Sequence, residues 1–277
     1  MKTVLTFLLL ACVSPFSFGQ ELKVMSYNIR LDVASDGENA WPNRRAYFLD
    51  QIAYYGPDIL GTQEVKPNQL SDMKARLTDY NAIGLGRDGE QKGEHSTIFF
   101  NTNQVKLEQQ GTFWLSETPD VVSKGWDAAL PRICTYGLFS HLESKEKFWV
   151  FNTHLDHKGV IARRQGMLLI LAKISSIATD GNPVILMGDF NVEPDEPLIS
   201  NLKTVLLDTK EVAPIAFGPD GTFNGFNYNE PVRRRIDYIF VSDSPELKVE
   251  KFAILTDAKE LKFPSDHFPV FVQLYLE

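Results

Sequence analysis

The stretch Pro183-Val184-Ile185-Leu186-Met187-Gly188-Asp189-Phe190-Asn191 constrains the fold more than any other. Its apolar run reads as a strand buried on both faces, and the run stops at a glycine. Side chains alternate across a strand, so Asp189 and Asn191 can face one way while Phe190 packs backwards. A rigid strand that ends in Gly-Asp-Phe-Asn lifts two polar groups out of the sheet at its carboxyl end, where α/β proteins commonly do chemistry. Taken alone, the same residues are also compatible with a strand running into an Asx turn. Matching groups elsewhere decide between the two.

Such groups recur at other strand ends. Leu22–Ile29 reads as a strand with Asn28 near its end, and Asp58–Val65 as a second one ending in Glu64. In Lys147–Asp156 the residues Val150, Asn152, His154 and Asp156 share one face, and Trp149, Phe151 and Leu155 the other. Arg234–Val241 carries Asp237 within an apolar strand, which is unfavourable unless that carboxylate is paired. Ser265-Asp266-His267 precedes the last strand, Phe268–Leu276. Further strands are expected at 80–85, 97–100, 133–141 and 249–255, and the segment Gln110–Arg132 reads mostly as loop. Helices are expected from Trp41 to about Tyr54, from Pro67 to about Leu77, and from about Val160 to Ala178. A short one should start at Pro197. The third has a core stripe of Met167, Ile170, Leu171, Ile174 and Ile177. Its first turn holds Arg163 and Arg164, positive charge where the helix dipole disfavours it. Strands outnumber helices and helices intervene between strands, which points to an α/β sandwich of two stacked mixed sheets with helices outside.

Residues 1–19 read as a secretory signal peptide: Lys2, an apolar core over Val4–Val13, and Ser17-Phe18-Gly19 before a cleavage at Gln20. A lipoprotein signal ending at Cys12 is the rival reading. Removal of the leader takes away Lys2 and no acid, so the net charge moves from −8 to −9. An acidic chain suits a small or locally recognised phosphoester better than long nucleic acid. The leader argues for a secreted or periplasmic protein, and the remainder, 20–277, for a single domain, expected to be monomeric. Cys134 is then the one cysteine left, read as an inert core thiol.

Carboxylates and amides with few imidazoles describe a site for a hard, oxygen-liganded cation, Mg²⁺ or Mn²⁺ before zinc. No Gly-x-Ser-x-Gly, Walker loop or His-Glu-x-x-His occurs, so metal-assisted attack of water is the chemistry that remains. A histidine beside its own carboxylate has a fixed tautomer and raised basicity.

Met25-Ser26-Tyr27-Asn28-Ile29-Arg30, Thr62-Gln63-Glu64, Asn152-Thr153-His154-Leu155-Asp156, Gly188-Asp189-Phe190-Asn191, Arg235-Ile236-Asp237-Tyr238-Ile239 and Ser265-Asp266-His267 stand in that order. Together they resemble the endonuclease/exonuclease/phosphatase superfamily almost from end to end of residues 20–277. The resemblance implies a four-layer αββα sandwich and Mg²⁺-dependent phosphoester hydrolysis. Carried over, Glu64 binds the metal with Asn28 and Asp266 beside it, and Asp189 and Asn191 position and deprotonate the attacking water. His154 and His267 bind the scissile phosphate, and Asp237 orients His267. Histidine at 154 is similar to the secreted deoxyribonuclease, sphingomyelinase, inositol-phosphatase and deadenylase branches, whereas abasic-site endonucleases place tyrosine there. The chain most resembles uncharacterised secreted bacterial members, which share Gly125-Trp126-Asp127 and Arg132-Ile133-Cys134-Thr135. It departs from many relatives at Glu94-His95-Ser96, which bears on the substrate pocket.

Arg132, Arg163 and Asp156 are further candidates for substrate phosphate, the two arginines against an ordinary role in ion pairs. His95, His141 and His157 read as surface histidines. The loops around Trp126 and Phe226 read as the rim that selects the substrate. Alternatives to a phosphodiesterase or phosphatase are a secreted nuclease and a catalytically idle phosphate- or glycan-binding protein of the same fold. A calcineurin-like metallophosphoesterase is excluded by the lack of an early Asp-x-His and a later Gly-Asn-His-Asp.

Overall fold

The computed structural model describes residues 19–277, so the leader reading and the Cys12 alternative lie outside the described residues but for Gly19. The chain runs β1 (Gln20–Asn28), α1 (Trp41–Tyr55), β2 (Ile59–Val65), α2 (Pro67–Arg76), β3 (Tyr80–Ile83), β4 (His95–Asn101), β5 (Val105–Trp114), β6 (Ile133–His141) and β7 (Lys147–His154). It continues through α3 (Val160–Ile177), β8 (Val184–Asp189), α4 (Pro197–Leu202), β9 (Leu207–Asp208), α5 (Thr209–Val212), β10 (Ile215–Phe217), β11 (Asp237–Val241), β12 (Leu247–Ile254) and β13 (Val270–Leu276). One sheet has the order β10-β12-β13-β1-β2-β4-β3 and the other β5-β6-β7-β8-β11-β9.

Three apolar clusters define the layers. Leu22, Val24, Ile59, Val150, Ile185 and Met187 belong to the cluster between the sheets. Trp149, Phe151, Leu155, Leu186 and Phe190 turn to the opposite face, where Met167 and Ile170 of α3 and Leu202 of α4 cover them. Met25, Tyr27 and Leu60 meet Phe48 and Ile52 of α1 and Met73 of α2 in the third. The alternation expected in β7 and β8 therefore divides two cores, and the architecture is the αββα sandwich. Among the described residues no helix is long and apolar enough to cross a membrane.

The expectation of a mostly irregular Gln110–Arg132 is corrected in its first part. β5 extends to Trp114 and pairs with β6 from Val105↔His141 to Trp114↔Ile133. It is an edge strand whose Lys106, Glu108, Gln109 and Gln110 face solvent, with a bulge between Leu107 and Gln109, so no period-two apolar pattern marks it.

The first turn of α3 is balanced from outside the helix. Asp127 accepts from the N–H of Ala162 at 2.7 Å and of Ile161 at 3.3 Å, supplying the negative charge that the helix's own sequence lacks.

At Gly188, φ is +146° and an added Cβ would lie 1.9 Å from the Thr153 carbonyl oxygen on the neighbouring parallel strand. Gly188→Ala is expected to destabilise the protein by at least about 1–3 kcal/mol. Urea unfolding checks this, and an unchanged midpoint would contradict the packing described.

Candidate active site

Strand direction brings the motif residues together. β1 and β2 are parallel, as are β7 and β8, and all four end at one edge of the sandwich. There they deliver Asn28, Glu64, His154 and Asp189. β11 and β13 run antiparallel to β8 and β1, so Asp237 at the start of β11 and Asp266-His267 just before β13 arrive at the same edge. Register fixes the central contacts, with His154 and Asp237 both lying opposite Asp189. Glu64 sits where the β2–β4 register shifts, at φ 64°, and Asn191 has φ 52°. A bulge that holds a glutamate in the left-handed region costs stability and re-aims the side chain out of the sheet.

Asn28 acts as a strut. Its amide N–H groups reach Glu64 Oε1 at 3.1 Å and Asp189 Oδ2 at 2.9 Å, while its oxygen accepts from the Arg30 N–H. The Leu31 N–H holds the other Glu64 oxygen at 2.9 Å. Asp189 also accepts from the Asn191 N–H, and the Asn191 side chain donates to His154 Nε2 at 3.0 Å. His154 Nε2 lies 3.4 Å and His267 Nε2 3.9 Å from Asp189 Oδ2.

The two imidazoles differ in charge, one neutral and one cationic. Burial, then Arg132 and His267, hold His154 well below the usual histidine range, so it is neutral and its Nε2 accepts. Burial would also strip His267 of its proton. The charge and hydrogen bond of Asp237, whose Oδ2 accepts from Nδ1 at 2.8 Å, overcome that and push His267 up to about 10. Asp189 is pushed up to about 7 by burial and by the Asp237 charge. Burial and Glu64 raise Asp266 as well.

These groups fit a divalent cation. Donor atoms of Glu64, His154 and Asp189 lie within 4.8 Å of one another; those of Asp189, Asp237 and His267 do too, but the protonated His267 has no lone pair to give a metal. Asp237 Oδ1 is buried without a partner, and burial first, with a neighbouring carboxylate second, raises Asp189 and Asp266, a shift that a bound cation would reverse. Oxygen donors with one neutral imidazole suit Mg²⁺ or Mn²⁺.

The cluster floors a cavity of about 370 Å³ whose lining includes Glu64, His154, Asp189, Asn191, Asp266 and His267. Asn28 and Asp237 support it from below. Arg132 also lines it, held by Asp156 Oδ1 at 3.2 Å and by His157 Nδ1 at 2.9 Å. Asp156 faces inward instead. Burial alone would raise it, but the N–H groups of Gly159, Ala129 and Lys158 together with Arg132 hold it well below the usual carboxylate range, and its role is to position Arg132. Arg163 is not brought to the cavity: it donates to the Asp156 carbonyl and borders a separate depression with Val160 and Pro197.

Residues missed in the sequence complete the wall. Arg30, Arg87 and Arg234 line it with Arg132, four guanidinium groups in an acidic protein, and Glu94, whose triplet the sequence already ties to the substrate pocket, lines it as well. The triplet Arg233-Arg234-Arg235 was one available signal, and Arg30 closes a motif already noted. The rims selected by sequence contribute Leu130 and Phe223, while the rings of Trp126 and Phe226 are not part of the lining. Nor are His95 and His141 surface residues. Both are buried, His95 against the Val65 carbonyl and His141 accepting from the Glu143 and Ser144 N–H groups of its hairpin turn. His157 is exposed, as expected, and lies on the cavity wall.

Residues 25–267 match the Endonuclease/Exonuclease/phosphatase family. Among solved structures, a protein of that family from Bacteroides thetaiotaomicron is 41% identical with a TM-score of 0.89, over 94% of this chain and 99% of that one. A mannosyl-6-phosphatase of Bacteroides thetaiotaomicron VPI-5482 is 42% identical with a TM-score of 0.87, over 91% and 99%. An uncharacterised protein of Acanthamoeba polyphaga mimivirus is 33% identical over 171 residues, 59% of this chain, and the match spans 63% of that relative's length. The family match begins in the first strand and ends on the histidine that faces Asp189, and it settles the kinship: the chain belongs to the endonuclease/exonuclease/phosphatase family.

Proposed function

We propose that this chain is an exported, Mg²⁺- or Mn²⁺-dependent phosphatase that releases phosphate from a small monoester carried on a sugar. The observation that carries the reading is one buried carboxylate, Asp189, lying between a neutral imidazole and a cationic one. His267 Nε2–H donates to a phosphate oxygen and stabilises the charge that develops there. Arg30 and Arg234 line the cavity wall beside it, each already paired with a carboxylate, Asp36 and Glu193. Asp189, with Asn191 beside it, holds the attacking water and takes its proton, which a carboxyl near 7 does well at neutral pH. His154 accepts from Asn191 and keeps that amide aimed at the water. Glu64 and Asp266 are the carboxylates that would hold the cation, with Asn28 bracing Glu64, and the cation supplies Lewis-acid polarisation of the phosphoryl group.

Support for a monoester on a sugar comes from the 42%-identical mannosyl-6-phosphatase and from a cavity of small-molecule size walled by arginines. Support for export comes from the leader and from β1, which starts at Gln20, paired with Leu276, where the cleavage is read. A panel with Mg²⁺ or Mn²⁺ tests the reading: a hexose 6-phosphate and p-nitrophenyl phosphate should release phosphate faster than bis-p-nitrophenyl phosphate or single-stranded DNA is cleaved. Faster cleavage of the diesters would overturn it in favour of a phosphodiesterase or nuclease.

The metal has its own readout. Mg²⁺ at about 100 times its dissociation constant should add about 2.7 kcal/mol of stability, or roughly 5–10 °C in melting temperature. Glu64→Gln should remove most of that shift in differential scanning calorimetry. An equal shift in the variant would rule out Glu64 as a ligand.

A further inference from the structure

We infer that Arg87 and Glu94, facing each other across the base of the β3–β4 connection, form a hydroxyl-reading subsite that selects a phosphorylated sugar by its vicinal hydroxyls. The inference rests on the phosphatase reading and deepens it. Both side chains line the cavity that holds Glu64, His154 and His267, and both continue into a recess beside it bordered by Pro131, Arg132 and Ile133. They form an ion pair at 2.6 Å with only 13% of each side chain exposed. No step of the proposed reaction uses them.

The pair is built in place. The Arg87 N–H donates to the Glu94 carbonyl at 2.9 Å, and Trp114 Nε1 donates to the Arg87 carbonyl at 2.7 Å. Gly86 bridges to His95, and a Cβ there would lie 1.9 Å from the Lys92 carbonyl oxygen, so the two arms of the loop touch at backbone distance. One feature of the pair lacks a partner: Arg87 Nε is buried and makes no hydrogen bond.

Charge and shape set the ligand class. Phosphate is taken by His267 and the arginines beside it. A second anion on the Arg87 flank would meet the Glu94 carboxylate, which already neutralises the guanidinium. A nucleobase would need an open aromatic face; the apolar side chains of this flank are Leu130, Pro131 and Ile133, and its imidazoles His154 and His157 are already engaged by Asn191 and Arg132. Phe223, across the cavity, is already packed edge-on against His267 at 5.1 Å with Arg234 over its ring. A hydroxyl pair both donates and accepts. It therefore satisfies the carboxylate and the guanidinium together, and the rigid couple spends little ordering entropy to bind it.

Calorimetry with a non-hydrolysable probe tests this without turnover. In Mg²⁺, wild-type protein should bind the methylene phosphonate isostere of a hexose 6-phosphate more tightly than methylphosphonate, which has no hydroxyls. Arg87→Gln, Glu94→Gln and the double variant, which removes both charges together and guards against a stranded partner, should lose about 10- to 100-fold of the sugar phosphonate affinity. Methylphosphonate affinity and the melting temperature should hold in at least the double variant. A preference for the sugar phosphonate that survives in all three variants overturns the subsite, as does an equal loss for both probes or no preference in the wild type. If the preference appears and disappears as expected but hexose 6-phosphate is not hydrolysed, the subsite stands and the phosphatase reading falls.

Discussion

Asp189→Asn is expected to lower turnover by about 10²–10⁴-fold while stabilising the metal-free protein at alkaline pH. The activity loss follows from removing the one buried group near neutral pKa that can take a proton from water beside His154 and His267. The stability gain follows from linkage. Burial and Asp237 push Asp189 up to about 7, from an unfolded value near 3.9. A raised carboxyl contributes stability that is complete below the unfolded value and is lost as pH rises through about 7, so at pH 8 the ionised Asp189 costs the fold a few kcal/mol. Asparagine carries no such charge. The acceptor it gives up, to Asn28 or to the Asn191 N–H, is worth about 1 kcal/mol, which is the smaller quantity. In EDTA the variant should melt above wild type at pH 8, with the gap closing between pH 7 and 4. A variant that melts lower at pH 8 would contradict the charge account of the site.

Asp237→Asn has the second largest effect, through His267. Asp237 Oδ2 accepts from His267 Nδ1 at 2.8 Å and is the chief cause that keeps a buried imidazole protonated up to about 10. Breaking a buried pair of this kind costs about 3–5 kcal/mol. Because the folded value is the raised one, the stability of the pair is fully present below about 6.5 and fades as pH rises through about 10. The variant's deficit should thus be largest near pH 6 and shrink towards pH 10. Its pH–rate profile should lose activity on the alkaline side well before the wild type does, since the donor to phosphate is lost once His267 is neutral. Titration of His267 by NMR checks the cause directly, and an unshifted titration in the variant would rule it out.

What the sequence reveals is what travels along one strand. The run ending in Gly188-Asp189, the two faces of Trp149–Leu155 and the stripe of α3 each state their own burial, because alternation or helical period is local. Six such strand ends, read in order, are enough to assemble the acid, amide and imidazole cluster. What stays hidden is contact between segments that carry no period. Arg87 and Glu94 meet across a polar hairpin loop, Asp127 caps a helix more than thirty residues ahead of it, and β5 is polar because it lies on an edge. Arg44 shows the same limit from inside a helix: its guanidinium donates to the carbonyls of Ile29, Arg30, Asn39 and Pro264, tying the end of β1 to the segment that carries Asp266. Aromatic rings mislead for a related reason. Trp126 and Phe226 stand in loops of the right kind, but the side chains that reach the cavity from those loops are Leu130, Arg132 and Phe223.

The measurement that bears most directly on the account is phosphate release from a hexose 6-phosphate by the purified protein, first in EDTA and then after Mg²⁺ is restored in excess. The carboxylates Glu64, Asp189 and Asp266, which line one cavity with His154 and His267, predict loss of turnover in the chelator and full recovery on addition of the cation. Hydrolysis that continues at an undiminished rate in EDTA would contradict it.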